Sequence, residues 1–211
     1  MRELTIKDAI NEALYQEMEL DDRVILFGED IGGGAGRDED YPEAADAWGG
    51  PFGVTHGLQT KFGRRRVIDT ALGETGFIGA SIGAAVAGLR PVAEIMYVDF
   101  LGTSFDQLLN QAAKLRYVYG GKMSVPMVVR TVAGGGFRAA AEHSQTLYSL
   151  FTHIPGLKVV APSNAYDAKG LLIEAIRDPD PVVFIEHKRL YMHKTHVPEE
   201  SYTIPFGKAA I

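Results

Sequence analysis

The chain has 211 residues and is 46% hydrophobic, with a mean hydropathy of -0.02, which is enough to bury one substantial core. A formal charge of -6 and an isoelectric point near 5.5 give no electrostatic reason to bind nucleic acid or an anionic membrane, both of which require clustered Lys and Arg. The absence of cysteine excludes disulfides, zinc-thiolate sites and cysteine nucleophiles together. The start MRELTIKDAINEAL lacks an apolar signal core, and no uninterrupted apolar stretch of about 18 residues occurs, so a cytoplasmic chain is expected.

In chain order, Thr5 is placed to cap a helix whose apolar face is Ala9, Ile10, Ala13, Leu14 and Met18. VILFG, residues 24 to 28, reads as a buried strand. The segment from Gly28 to Gly57, with GGGAG, an acidic stretch and Trp48-Gly49-Gly50, reads as an extended loop or insertion. Its glycines follow a strand, but Pro42 and the acidic run leave no amphipathic helix after them, so a phosphate cradle is not expected. Arg64, Arg65 and Arg66, the only basic cluster, read as a solvated turn.

Regular alternation follows: strand VID, helix 75 to 88, strand VAEIMYV, helix 103 to 118, strand PMVVRTV, a glycine-rich loop, a short helix near 146 to 152 and strand KVVAP. Helix 165 to 177, with Asn164 and Asp167 at its start and Pro179 beyond its end, precedes strand PVVFIEH. Apolar strands separated by helices predict an α/β fold, a doubly wound, mainly parallel sheet with helices on both faces. From His193 the chain turns polar. The expected organisation is a domain over residues 1 to 192, then a linker and the start of a C-terminal domain over 193 to 211.

Glu74 is the first candidate for chemistry. It stands where an apolar strand becomes a glycine- and alanine-rich helix, and ligands of open parallel sheets bind at the carboxyl ends of the strands. A carboxylate in such apolar surroundings loses hydration, and a Glu so placed can exchange a proton with a ligand. The stripe Gly76, Gly79, Ala80, Gly83, Ala84 and Ala87 on the same helix reads as a packing face, on the sheet or on another helix, rather than as a ligand contact. His143, in the aperiodic loop TVAGGGFRAAAEHSQ, is the second candidate, because that loop leaves a parallel strand on the same sheet edge as Glu74. Arg138 in the loop fits a carboxylate contact or a surface role equally. Asp99 and Phe100 close another strand, where Phe100 fits either the core or a platform for a planar ring. His193 and His196 lack a third ligand, so no metal site is expected there. A hydrolase built on Glu74 and His143 is not expected, because the GxSxG match Gly79 to Gly83 lies inside the predicted helix 75 to 88 and not at the strand-to-helix turn that a nucleophile elbow requires.

VILFGED, RVIDT followed by GETGFIGASIGAAVAGLRPVAEIMYVDF, FDQLLNQAAKLRY, VPMVVR, AAAEHSQ and PGLKVVAPSNAYDAKGLLIEAIRDPDPVVFIEHKRLY together resemble the beta subunit of the thiamine-diphosphate-dependent 2-oxo acid dehydrogenases, in order and over nearly the whole chain. DAWGGPFGVTHGL and FRAAAEHSQ look nearest to the acetoin-type branch, with the pyruvate type next and the branched-chain type as an alternative. The resemblance implies a transketolase-like, pyrimidine-binding domain in which Glu74 hydrogen-bonds a ring nitrogen of the thiamine diphosphate aminopyrimidine and so promotes loss of the thiazolium proton. It also implies that Phe100 faces the ring, that Leu72 and Met96 line the pocket, and that His143 donates a proton on the substrate or lipoyl side. Met127, Ala175, Ile176, Asp178 and Asp180 match a monovalent-cation (potassium) site built mainly of backbone carbonyls. The Gly-Asp-Gly segment that grips diphosphate and magnesium does not occur in this chain. The resemblance therefore implies half a site, completed by an alpha subunit in an alpha2-beta2 heterotetramer with a second beta subunit, serving a lipoyl acyltransferase core. The competing expectation is a catalytically silent pairing module of the same fold.

Overall fold

A computed structural model describes residues 2–33 and 49–208. The chain opens with strand β1 (Arg2–Thr5) and helix α1 (Ile6–Leu20), where the Thr5 hydroxyl accepts from the Asp8 N–H at 3.1 Å. Strand β2 (Val24–Gly28), helix α2 (Leu58–Phe62), strand β3 (Val67–Asp69), helix α3 (Glu74–Val86) and strand β4 (Arg90–Ile95) follow. After a 3-10 turn (Val98–Gly102), a π-helical segment (Gln107–Ala112) and helix α4 (Leu115–Val118) come strand β5 (Val128–Ala133), helix α5 (Tyr148–Thr152) and strand β6 (Lys158–Val160). Helix α6 (Ala165–Arg177), strand β7 (Val182–His187), a 3-10 turn (Lys188–Leu190) and strand β8 (Lys194–Val197) complete the described elements. Asn164 caps α6 by accepting from the Asp167 N–H at 2.8 Å, and side-chain caps of this kind contribute about 1 kcal/mol each.

Six strands pair in the order β3-β2-β4-β5-β7-β6, all parallel, as the alternating pattern predicts. Their side chains alternate between two cores. Val92, Val128 and Phe184 pack with α1 and α6 on one face; Ala93, Val129 and Ile185 pack with α3, the π-helical segment and α5 on the other. Burial on both faces explains why these strands read as continuous apolar runs. The order makes the chain leave β2 for the edge strand β3 and return past β2 to β4. The carboxyl ends of β2 and β4 therefore flank a topological switch point, where such sheets bind ligands.

Several expectations are corrected. The helix over 103 to 118 is broken: an Ala113 N–H to Leu108 carbonyl bond at 3.1 Å spans five residues, so the turn widens and Leu108 and Ala112 stay buried. VAEIMYV ends as a strand at Ile95 because residues 98 to 102 tighten into a 3-10 turn. Arg66 is no solvated turn residue, since its guanidinium donates to the carbonyls of Met18 at 2.7 Å and of Asp21 and Val24 at 3.0 and 2.9 Å. The small-residue face of α3 turns away from the sheet, which Phe77, Ile78, Ser81, Ile82 and Ala85 cover instead. The antiparallel pair β1 and β8 and the short α2 were not legible as elements. Most of the glycine run 32 to 36, with the acidic stretch, Pro42 and Trp48, lies outside the described residues.

Candidate functional site

β2 ends at Gly28, where a Cβ would come within 3.0 Å of the Glu94 carbonyl, so only glycine permits this approach to β4. The next residue, Glu29, is 7% exposed, and its Oε1 is buried without a hydrogen-bond partner among the described residues. Burial pushes the Glu29 carboxyl above its ordinary range. The neighbouring charge of Glu74 pushes the same way, the Gly73 N–H opposes them, and Asp30 adds a smaller push upward. Two carboxylates thus face each other across the start of α3, whose N-terminal N–H groups favour negative charge there.

Glu74 is half-buried, and the Thr103 hydroxyl lies 3.4 Å from its Oε2. The same hydroxyl donates to the Phe100 carbonyl at 2.8 Å, linking the start of α3 to the turn after β4. The Phe100 ring meets the His143 imidazole edge-on at 5.2 Å, and Tyr97 closes a triangle at 4.5 Å from His143 and 5.7 Å from Phe100. Glu74, Phe100 and His143, which sequence placed on separate segments, are therefore joined through Thr103 into one wall. The Nδ1 of His143 is buried without a hydrogen-bond partner among the described residues; the nearest Glu142 oxygen stands 3.9 Å away, beyond bonding reach. Met96 is half-buried between β4 and Phe100, while Leu72 stands 86% exposed at the lip beside Glu74.

A buried clamp lies beneath this wall. Arg130 of β5 donates to Glu94 of β4 at 2.6 Å and to Glu186 of β7 at 2.7 and 2.9 Å, and the Tyr191 hydroxyl donates to Glu186. Burial pulls the Arg130 guanidinium down, but Glu186 and Glu94 outweigh it and hold the group firmly protonated. Burial, with the second carboxylate, pushes Glu94 up against the pull of Arg130. Breaking such a buried pair typically costs about 3 to 5 kcal/mol, so the clamp fixes the strand ends from which Met96 and the turn after β7 depart.

Sequence reasoning missed Glu29, Tyr97, Thr103 and Arg130. Glu29 carried the same signal as Glu74, an acid just past a buried strand; the others required knowledge of strand order. The five residues assigned to a cation lie at the opposite, amino edge of the sheet, where Met127 precedes β5 and Asp178 and Asp180 precede β7. There Arg90 donates to the carbonyls of Ile176 at 2.8 Å and Asp178 at 3.4 Å, and Lys158 donates to the Asp178 carboxylate at 2.7 Å. The Met127 carbonyl accepts from the Val182 N–H at 3.0 Å, and Met127, Ala175 and Ile176 are buried. Among the described residues no cluster of three or more His, Asp or Glu side chains suits a metal ion, and no helix is long and apolar enough to cross a membrane.

The chain is thus an α/β domain with a parallel sheet that carries paired carboxylates and an aromatic wall at its switch point. Residues 2–194 match the family described as transketolase, pyrimidine binding domain, and the chain belongs to that family. Over 210 residues it is 60% identical to subunit beta of the acetoin:2,6-dichlorophenolindophenol oxidoreductase of Cupriavidus necator, covering 100% of this chain and 61% of that one. It is 47% identical over 209 residues to the pyruvate dehydrogenase E1 component subunit beta of Acholeplasma laidlawii, covering 99% of this chain and 60% of that one. The chain thus spans about three-fifths of the length of these curated relatives. A solved structure described as a split-gene transketolase in an inactive beta4 tetramer is similar at a TM-score of 0.61, with 15% identity over 98% of this chain and 54% of that one. That likeness shows the fold alone.

Proposed function

We propose that the chain is the pyrimidine-binding part of the beta subunit of a thiamine-diphosphate-dependent enzyme that cleaves acetoin, or decarboxylates a 2-oxo acid such as pyruvate, and passes the acyl unit to lipoamide. The observation that carries this reading is the Glu74 carboxylate at the switch point, with Glu29 behind it and Phe100 beside it. The higher identity to the acetoin relative, 60% against 47% for the pyruvate relative, favours acetoin as substrate. The branched-chain 2-oxo acids remain the third choice.

The residues present fit the cofactor's pyrimidine end: a carboxylate with one weak side-chain contact at 3.4 Å, an orphaned carboxylate oxygen on Glu29 and an aromatic face. When bound, thiamine diphosphate supplies a carbon acid and an electron sink. Glu74 holds a proton at the pyrimidine nitrogen. Phe100 would face the ring, Met96 and Leu72 would line the pocket, and His143 would donate a proton on the substrate or lipoyl side. Without a Gly-Asp-Gly segment this chain does not grip diphosphate or magnesium. That part falls to an alpha subunit in an alpha2-beta2 assembly containing a second beta subunit. A lipoyl acyltransferase core is the downstream partner, and the cytoplasm is the compartment. Residues 1 to 192 are assigned to the domain proper, and strand β8 (Lys194–Val197) pairs back onto β1. A monovalent cation, potassium by preference, is assigned to Met127, Ala175, Ile176, Asp178 and Asp180, where the carbonyls facing Arg90 have a second lone pair to offer.

Glu74→Gln tests the reading. In complex with the alpha partner the variant is expected to fold normally and to lose turnover on the order of hundreds-fold, because an amide cannot share a proton with the ring nitrogen. Wild-type rates of proton exchange at the thiazolium carbon would contradict the assignment. Turnover in the wild-type complex separates an enzyme subunit from a silent pairing module.

A further inference from the structure

Lys188 begins the 3-10 turn that leaves β7 and is only 2% exposed. A buried ammonium requires replacement of its lost hydration. Here the partners among the described residues are not a carboxylate but the His143 carbonyl, to which the ammonium donates, and two aromatic rings. The Nζ lies 5.3 Å from the centroid of Tyr97 and 5.9 Å from that of Phe137. Tyr97 is the ring that packs edge-on against His143 at 4.5 Å. One cation therefore touches the backbone of His143 and the ring that seats its imidazole.

The loop it holds needs holding. Its base is closed by the Gly134 N–H to Gln145 carbonyl bond at 2.8 Å and by the Gln145 N–H to Asp99 at 3.3 Å. Between these points Arg138 and Ala140 adopt left-handed backbone angles, φ +55° and +63°, which side-chain-bearing residues reach only at a cost. The inner side of the loop also rests on the neighbours of Lys188. A Cβ at Gly134 would come within 2.3 Å of His187 Nε2, and one at Gly136 within 2.5 Å of Arg189 Cδ. Three consecutive basic residues, His187, Lys188 and Arg189, thus form a cradle on which a strained glycine loop sits.

We infer that Lys188 is a positioning residue for His143: its ammonium, by fixing the His143 carbonyl and the Tyr97 ring, keeps the imidazole edge-on to Phe100 at the mouth of the site. The inference rests on the functional reading above, in which His143 moves a proton on the substrate side. Misplacement of such a group by about 1 Å lowers the rate by up to about a hundredfold.

The test uses Lys188→Met, Lys188→Arg and Gly136→Ala in the full-length protein assembled with its partner. Three quantities are read: amide hydrogen exchange over residues 134 to 145, the dissociation constant for thiamine diphosphate, and kcat against KM. Lys188→Met is expected to exchange faster in that loop, to bind cofactor within about threefold of wild type and to lose roughly ten- to hundredfold in kcat, with Lys188→Arg recovering most of the loss. Wild-type loop exchange and kcat in Lys188→Met would overturn the inference, as would a loss of cofactor affinity equal to the loss of kcat. Should Lys188→Met not fold, Gly136→Ala lifts the same loop off Arg189 and is expected to speed loop exchange and lower kcat; wild-type values for both would overturn the inference equally. A wild-type complex that binds no cofactor refutes the functional reading instead, while the loop-exchange result stands apart from it.

Discussion

Glu29 sits behind Glu74 with its carboxyl pushed up first by burial and then by the Glu74 charge. Its folded-state pKa lies above the unfolded one, so the folded state binds the proton more tightly. The resulting stability is fully present below the unfolded carboxylate range and is lost as pH rises through the folded pKa. Glu29→Gln removes that penalty. The variant is expected to be more stable than wild type at pH 7 and to lose that advantage as the pH falls through and below the raised Glu29 pKa, towards pH 4. Thermal melts at the two pH values check this, and an equal difference at both would refute the charge pairing. Glu74 was legible in the sequence because an acid at a strand-to-helix junction stands out from apolar flanks on both sides. Glu29 carried the same signal just past β2, whereas Lys188 did not: its importance depends on which strand lies beside which, and parallel strand order is set by long crossovers that local spacing does not encode.

Helix α3 shows how far periodicity reaches at the scale of elements. Its existence was plain from residues 75 to 88, and it forms from Glu74 to Val86. The direction of its small-residue stripe was not. Gly76, Ala80, Gly83 and Ala87 are exposed in this chain, and a Cβ added at Gly76 or Gly83 meets nothing within 4 Å. A mixed face of small residues is ambiguous between inward and outward packing, because glycine and alanine bury little area either way. Under the proposed assembly this face receives a helix of another subunit. Gly83→Leu should then leave the isolated chain folded and slightly more stable, by about 0.5 to 1 kcal/mol from helix propensity, yet impede assembly by overpacking. Melting of the chain alone and analytical ultracentrifugation with the partner read the two effects; unimpaired assembly would remove the stripe from the interface. The π-helical segment escaped the sequence for a different reason. One widened turn keeps Leu108 and Ala112 buried, and a helical hydrophobic pattern reads the same with or without it.

At the scale of the whole molecule the doubly wound sheet was legible, because strands buried on both faces give apolar runs separated by helices with clear caps at Thr5 and Asn164. The convergence of Glu29, Glu74 and Phe100 follows from the reversal at β2, β3 and β4, and the pairing of β5 with β4 brings His143 to them, an order that only the folded chain displays. Under the proposed function that convergence addresses only the pyrimidine end of the cofactor. The central claim is therefore that this chain carries half of a thiamine diphosphate site. Isothermal titration with thiamine diphosphate and magnesium, on the chain alone and again with the alpha subunit, tests it most directly. The chain alone should bind with a dissociation constant of about a millimolar or weaker, equivalent to about 4 kcal/mol, and the complex should bind orders of magnitude more tightly. Micromolar, magnesium-dependent binding by the chain alone would contradict the account.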